Sequence, residues 1–415
     1  MTDVFIVIVL LAQVIVFAIL LRKLFLAVTG ITNSLGSVTD RLEEHERNRE
    51  SDRSLNETLE KNIRLAEDPH ADLLRVFDKA RGLDALQSIK AIADLGEKGA
   101  AARDKLVQRY INEKDSPAVR LHLLEALFQV TPDYIEHMVK KYASFDTDPG
   151  IVAHLAMLVG GLKCTKLQTT IGMMMDDAKR RATNDHPAWI SAVRSCAWAL
   201  KKIDPSSQEY DQQSDTDEFF GYILAKAPHA MQRGRFAEFY ENRRWDPKAT
   251  CGFLEGAVIE GEHDVILKVV AKGQHEFSDL IMNDIQSAEM IHRTSTLVVI
   301  NKPWHMHWIR GSEFNQKGHN RLPVWVMLKV PAAKSAVVVL TTREILAVKE
   351  AAAVFGDKEV VVKIHTESKD RDEEVIRTLS SLPYVLETHT VRATYASFNW
   401  LVEAGEERFH SLIWQ

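Results

Sequence analysis

The sequence predicts three kinds of structure in series: a single transmembrane helix with a helical stalk, an all-α solenoid, and a C-terminal α/β domain with a mainly parallel sheet. Three observations carry this. Val4 to Leu21 reads VFIVIVLLAQVIVFAILL, with Gln13 as its one polar residue. Helical segments recur at a spacing near 32 residues in the middle of the chain. After Arg293 the apolar period changes from helical to short β-branched runs. The implied divisions are 1–28 (anchor), 29–70 (stalk), 71–204 (solenoid), 205–291 (further helices or a connector) and 292–415 (α/β domain).

A hydrocarbon layer of ~30 Å needs roughly 20 apolar residues in a helix, and the first run meets that length. It lacks the basic start and the small-residue cleavage pattern of a secretory signal, so an uncleaved anchor is expected. Arg22 and Lys23 follow the run and Asp3 precedes it, which places the N-terminus outside and the bulk of the chain in the cytoplasm, at the cell (inner) membrane. Cys164, Cys196 and Cys251 are odd in number and widely spaced, which suits buried thiols rather than a disulfide framework or a zinc knuckle.

The remainder has an ordinary globular composition, 46% hydrophobic and 27% charged. A net charge of -6 gives no general attraction to nucleic acid or anionic lipid. Val28, Ile31, Leu35, Val38 and Leu42 fall at heptad spacing, resumed at Leu59 and Ile63, but His45, Arg49, Asp52 and Asn56 occupy the seam between them. A solvated helix and a coiled coil that pairs two chains into a homodimer both fit this stretch.

In SPAVRLHLLEALFQV, Pro117 opens a helix whose buried face is Leu123, Leu124, Ala126 and Leu127. Thirty-two positions on, Pro149, Ile151, Leu155, Leu158 and Leu162 repeat the pattern. Helices that cannot bury their apolar faces alone must stack. The stretch Asp115 to Val130 resembles a HEAT repeat through Asp115, Val119, Arg120, Ala126 and Leu127, and that resemblance implies a concave surface for a protein or peptide ligand. Helical spacing in DEFFGYILAKAP, KATCGFLEGAVIEG and HDVILKVVAKG extends the helices to about Ile291. RGRFAEFYENRRW, with Arg233, Arg235, Arg243 and Arg244, reads as a solvated helix or as a phosphate or RNA contact, which keeps nucleic acid among the candidate partners.

In the last part, TLVVI, LPVWVMLKV, AVVVL and EVVVKI read as strands, REILAVKEAAAVFG and KDRDEEVIRTLSSLP as helices, and YVLETHTVRATYASFNWL as closing strands. Such alternation argues for parallel pairing. The segment HTVRATYASFNWL resembles the end of a phospholipase D-type half-domain, and on that resemblance His389 would attack phosphorus while Ser397 and Asn399 hold the phosphate. Val391 stands where the family has its lysine, which leaves Arg392 as the cation. Separately, His305 and His307 alternate on an extended segment with His319 twelve residues beyond His307, a trio able to hold a divalent metal. No Gly-rich phosphate loop, HExxH or GxSxG is present and no cofactor is expected. Nothing in the chain demands turnover. The preferred expectation is therefore a membrane-anchored binding scaffold facing the cytosol. The alternative is a membrane-tethered phosphodiesterase or nuclease effector of the kind that serves bacterial immunity.

Overall fold

The computed structural model describes residues from 69 onward except 114–115, 185–187, 207–217, 227–243, 247, 287–290, 292, 301–305, 316–321, 402–408, 410–411 and 415. The chain divides into two compact units, Met1–Arg75 and Val76–Gln415, and the second carries everything that follows. The apolar run Val4 to Leu21 and the stalk lie outside the described residues. Among the described residues no helix is long and apolar enough to cross a membrane. The single-pass anchor and the inner-membrane location are accordingly withdrawn as a basis for function.

Up to Ile203 the unit is helical. Two helix starts repeat the expected spacing and share one cap: Ser116 accepts a hydrogen bond from the Val119 amide ahead of helix Pro117–Val130, and Asp148 accepts one from the Ile151 amide ahead of helix Pro149–Gly161. Each cap satisfies an orphan amide, and proline fits the first turn, where its missing N–H costs nothing. Leu123, Leu124, Leu127 and Leu155 are buried, whereas Leu162 lies 60% exposed.

The HEAT-like solenoid is nevertheless a correction. Helix Pro117–Val130 is buried at eleven of its fourteen positions, including His122 and Glu125 on the face a free solenoid would turn to solvent. That face docks on helix Ser335–Thr341: His122 Nε2 lies 3.0 Å from Thr341 Oγ1, Ser116 Oγ donates to Glu344 at 2.8 Å, and Lys334 pairs with Glu125. The expected helices between 205 and 291 are corrected too. Strands β1 (Phe219–Lys226), β2 (Cys251–Ile259) and β3 (Val265–Ala271) stand there, followed by the short helix Gln274–Asp279.

The remaining strands are β4 (Arg293–Val299), β5 (His307–Arg310), β6 (Val324–Lys329), β7 (Val348–Phe355), β8 (Val360–Ile364), β9 (Glu387–Asn399) and β10 (Ile413–Trp414). Four of them, β4-β1-β3-β2, form one antiparallel sheet, and β9-β6-β8-β7 form a second in the equivalent order. In the second, the chain runs β6, helix Ser335–Thr341, β7, β8, helix Lys369–Ser380, β9, which is the ferredoxin-like succession. β2 pairs β9 and β4 pairs β7, so the two sheets close into an eight-stranded barrel. All pairs are antiparallel except β5 with β10.

The mainly parallel sheet is thus wrong, and two tight hairpins explain why. Gly261 (φ 129°) turns β2 into β3 and Gly356 (φ 153°) turns β7 into β8, and a connection that short can only join antiparallel strands. Two assignments also exchange. AVVVL lies in helix Ser335–Thr341, buried on all sides between the sheet and helix Pro117–Val130, while the segment read as helical, VKEAAAVF, is β7. Burial on both faces removes the amphipathic signal that separates the two.

Candidate ligand site at one end of the barrel

Inward-facing residues follow the strand period of two. β1 contributes Phe220, Tyr222 and Leu224, and β3 contributes Ile266, Lys268 and Val270. At mid-height the barrel carries charge. Tyr222 stands opposite Lys268 and Lys268 opposite Glu255; in the second sheet Trp325 stands opposite Lys363 and Lys363 opposite Glu350. Glu255 and Glu350 each follow a β-bulge in the same register, so Tyr222/Glu255/Lys268 and Trp325/Glu350/Lys363 are equivalent positions of the two halves.

The ion pairs exchange across the halves. Lys268 donates to Glu350 at 2.6 Å, and Lys363 lies 2.5 Å from Glu255. A residue i of one half meeting j of the other, and j meeting i, is the signature of a twofold axis, here internal to one chain. The equivalence breaks in the connection between the halves. His307 of β5 shares a hydrogen bond with Glu350 at 2.8 Å, Tyr222 Oη donates to the same carboxylate at 2.6 Å, and Lys363 also donates to Glu313 at 2.5 Å.

All five charged side chains are at most 2% exposed. Burial pushes the Glu350 carboxyl up, but Lys268 and His307 more than offset it and hold it well below the usual range. For Glu255 burial wins over Lys363 and the carboxyl is raised. Burial likewise lowers His307 against the pull of Glu350, leaving a neutral imidazole at physiological pH. The girdle fills the middle of the barrel and locks the halves together.

Beyond it, toward the β2–β3 and β7–β8 hairpins, the barrel opens. A cavity of about 310 Å³ has an apolar floor of Leu224, Ile259, Leu297, Met327 and Val391. The internal axis passes through this end, since Leu224 and Met327, and Leu297 and Val391, are again equivalent positions. Around the mouth stand Glu260, Glu262 and His263 from the first hairpin, Asp357 and Lys358 from the second, and Ser295, Glu387 and His389. Lys358 pairs with Glu387 at 3.0 Å.

Of the residues expected from sequence, His389 alone lies in this cavity. It sits opposite Met327 on β9, whereas Ser397 and Asn399 pair with Ala257 and Glu255 on β2, eight and ten positions farther along. At ~3.3 Å per residue, His389 and Ser397 are roughly 26 Å apart along the strand. Arg392 faces helix Lys369–Ser380, where it pairs with Asp372 at 3.3 Å and Glu373 at 2.5 Å, and Asn399 Oδ1 accepts from the Leu401 amide. The phospholipase D-type site is therefore not assembled, because one strand carries its members to opposite ends of the barrel. His307 is spent on Glu350, His305 and His319 lie outside the described residues, and among the described residues no cluster of three ligating side chains could hold a metal.

Glu260, Glu262, His263 and Asp357 escape the sequence reading because β2, β3 and β7, which the two hairpins join, read as helices or are not separated from them. Their signal is the pair IEGEHD and FGDKE, each a glycine among charges between two apolar runs.

Residues 254–309 match the Lrp/AsnC ligand binding domain family. No curated protein matches the chain. Among solved structures, the siroheme decarboxylase NirDL aligns over 55% of this chain and 96% of its own, at 9% identity and a TM-score of 0.34. FFRP-DM1 aligns over 20% and 99% at 23% identity and 0.17. A chlorite dismutase from Candidatus Nitrospira defluvii aligns over 46% and 95% at 11% identity and 0.30. At such scores none of them transfers a cofactor or a reaction to this chain. The family match falls on the barrel, runs from the segment expected to be helical to about Ile291 into the expected α/β domain, and overturns both family resemblances drawn from the sequence.

Proposed function

We propose that this chain is a ligand-binding protein whose tandem barrel takes up a small molecule in the cavity between the β2–β3 and β7–β8 hairpins. The observation that carries this is the cavity itself: a barrel filled through its middle by paired charges opens at one end onto five apolar side chains ringed by polar groups. Its volume falls at the small end of the range of ligand sites, ~300 to 1,000 Å³, so the ligand is a compact metabolite. The match to a ligand binding domain supports the reading, because Ile259, Glu260, Glu262, His263, Ser295 and Leu297 all fall within the matched segment. The membrane scaffold and the phosphodiesterase effector are not retained.

Ser295 lines the mouth and is only partly buried, so Ser295→Trp blocks entry without disturbing the core. In thermal unfolding of the full chain against a panel of small metabolites, at least one compound is expected to stabilise the wild type, by about 2.7 kcal/mol at a hundredfold excess over Kd. Ser295→Trp is expected not to respond. Equal responses from both proteins would place the ligand elsewhere.

A further inference from the structure

Resting on the proposed ligand-binding cavity, we infer that the helical layer sets the geometry of its mouth through Tyr384, a positioning residue that fixes where β9 enters the barrel. Tyr384 lies in the turn between helix Lys369–Ser380 and β9, at φ 72°. A bulky side chain rarely adopts that left-handed backbone, which persists only where the surroundings hold it. Here the hold comes from the helices. The ring stacks on His122 at 5.8 Å with the planes 5° apart, and the Lys90 and Lys334 ammonium groups stand 5.5 and 5.2 Å from its centre. It also packs against Leu121, Val337 and Leu340, while Gln87 donates to the Ser381 carbonyl at 2.6 Å. Helices Asp84–Asp94 and Pro117–Val130 thus grip the turn at both Ser381 and Tyr384.

The mouth begins just beyond that turn. The Leu386 amide donates to the Lys329 carbonyl at 2.9 Å, which seats Glu387 opposite Lys329 and His389 opposite Met327. Glu387 takes Lys358 of the β7–β8 hairpin at 3.0 Å, and Glu387, His389, Lys358 and Met327 all line the cavity. Leu386 is 68% exposed, so its side chain does not anchor the strand. The placement of these mouth groups is handed down from the gripped turn. β6 is tied at the same end, where Lys334 beyond it pairs with Glu125 as well as approaching Tyr384. Ligand affinity is therefore coupled to the docking of the helices.

Glycine adopts φ 72° without strain, so Tyr384→Gly removes the ring and leaves the turn able to fold. Tyr384→Phe keeps every contact named, since all of them run through the ring. Hydrogen exchange of the full chain, with no compound added, compares both variants with the wild type. In Tyr384→Gly, exchange is expected to rise at least about tenfold in Leu386–His389 and Phe355–Glu359 and to keep wild-type rates in the Glu260–Asp264 hairpin and in β3. Tyr384→Phe is expected to match the wild type throughout. An unchanged mouth in Tyr384→Gly would overturn the inference, and so would a rise spread evenly over both hairpins and β3, which marks a general loss of stability. Compounds of the metabolite panel that stabilise the wild type but not Ser295→Trp are expected to bind Tyr384→Gly at least about tenfold more weakly and Tyr384→Phe equally well. Equal affinity for both variants and the wild type would overturn the coupling while leaving the cavity as the ligand site. If no compound meets that criterion, the ligand-binding reading falls, and the exchange rates still decide whether Tyr384 positions the mouth.

Discussion

Lys363→Met is expected to destabilise the Val76–Gln415 unit by about 3 to 5 kcal/mol, among the largest losses available to a single substitution in this chain. The Lys363 ammonium is 1% exposed and lies 2.5 Å from both Glu255 and Glu313, which are equally buried. Burial alone would lower its pKa, but the two carboxylates raise it above the ordinary lysine value. Methionine preserves the volume and removes the charge, so the buried Glu313 carboxylate loses its ammonium partner on one oxygen, while His365 lies 3.5 Å from the other. The energy at stake is the stranded charge rather than the bond. Glu255→Gln is correspondingly milder, since burial already favours the protonated Glu255 carboxyl. Urea unfolding of the two variants checks this, and a Lys363→Met loss well under about 1 kcal/mol would mean that the girdle is wet.

Acidification is expected to weaken the fold well before the carboxylates titrate. His122 lies buried where the helices meet the barrel, stacked on Tyr384 at 5.8 Å, and faces Glu125, Lys334 and His154. Thr341 Oγ1 donates to the Val337 carbonyl, so His122 Nε2 carries the proton of the His122–Thr341 bond. Burial drives its pKa down to about 3, against the pull of Glu125, and burial also lowers His307. In the unfolded chain both histidines protonate near pH 6.5. The folded state resists, so stability present above about 6.5 is lost as the pH falls, with a slope of about 1.4 kcal/mol per pH unit for each histidine. Glu350 and Glu125, held below their ordinary values, extend the loss below about pH 4.3, where the unfolded carboxylates take up protons and the native ones do not. His122→Phe keeps the ring on Tyr384 and is expected to reduce the slope between about pH 6.5 and about pH 5 by about 1.4 kcal/mol per unit. An unchanged slope in denaturant titrations would remove His122 from the linkage.

Part of this architecture is legible in the amino-acid order and part is not. The caps before Pro117 and Pro149, and the strands β4, β6 and β8, follow from local chemistry, because Ser-Pro and Asp-Pro starts and β-branched runs act within a few residues. The strands β2 and β3 fail that reading. CGFLEGAVI and VILKVVA are buried at almost every position, since one face packs into the barrel and the other under helix Gln274–Asp279, and their polar members Glu255 and Lys268 point inward. A strand that hides its charges in the core shows no alternation. The cavity was illegible for a related reason: its floor comes from five strands between Leu224 and Val391, and only closure of the barrel brings them together. The repeat that mattered was structural, between two halves whose matching positions hold tyrosine and tryptophan, or leucine and methionine.

Hydrogen exchange of the full chain, with and without a stabilising metabolite, tests the ligand-binding barrel most directly. Protection is expected at both hairpins together, Glu260–Asp264 and Phe355–Glu359, because they flank one cavity on one internal axis. Protection confined to the helical groove of about 650 Å³ around Asp78, Arg81, Arg109 and Glu113, with the hairpins unchanged, would contradict it.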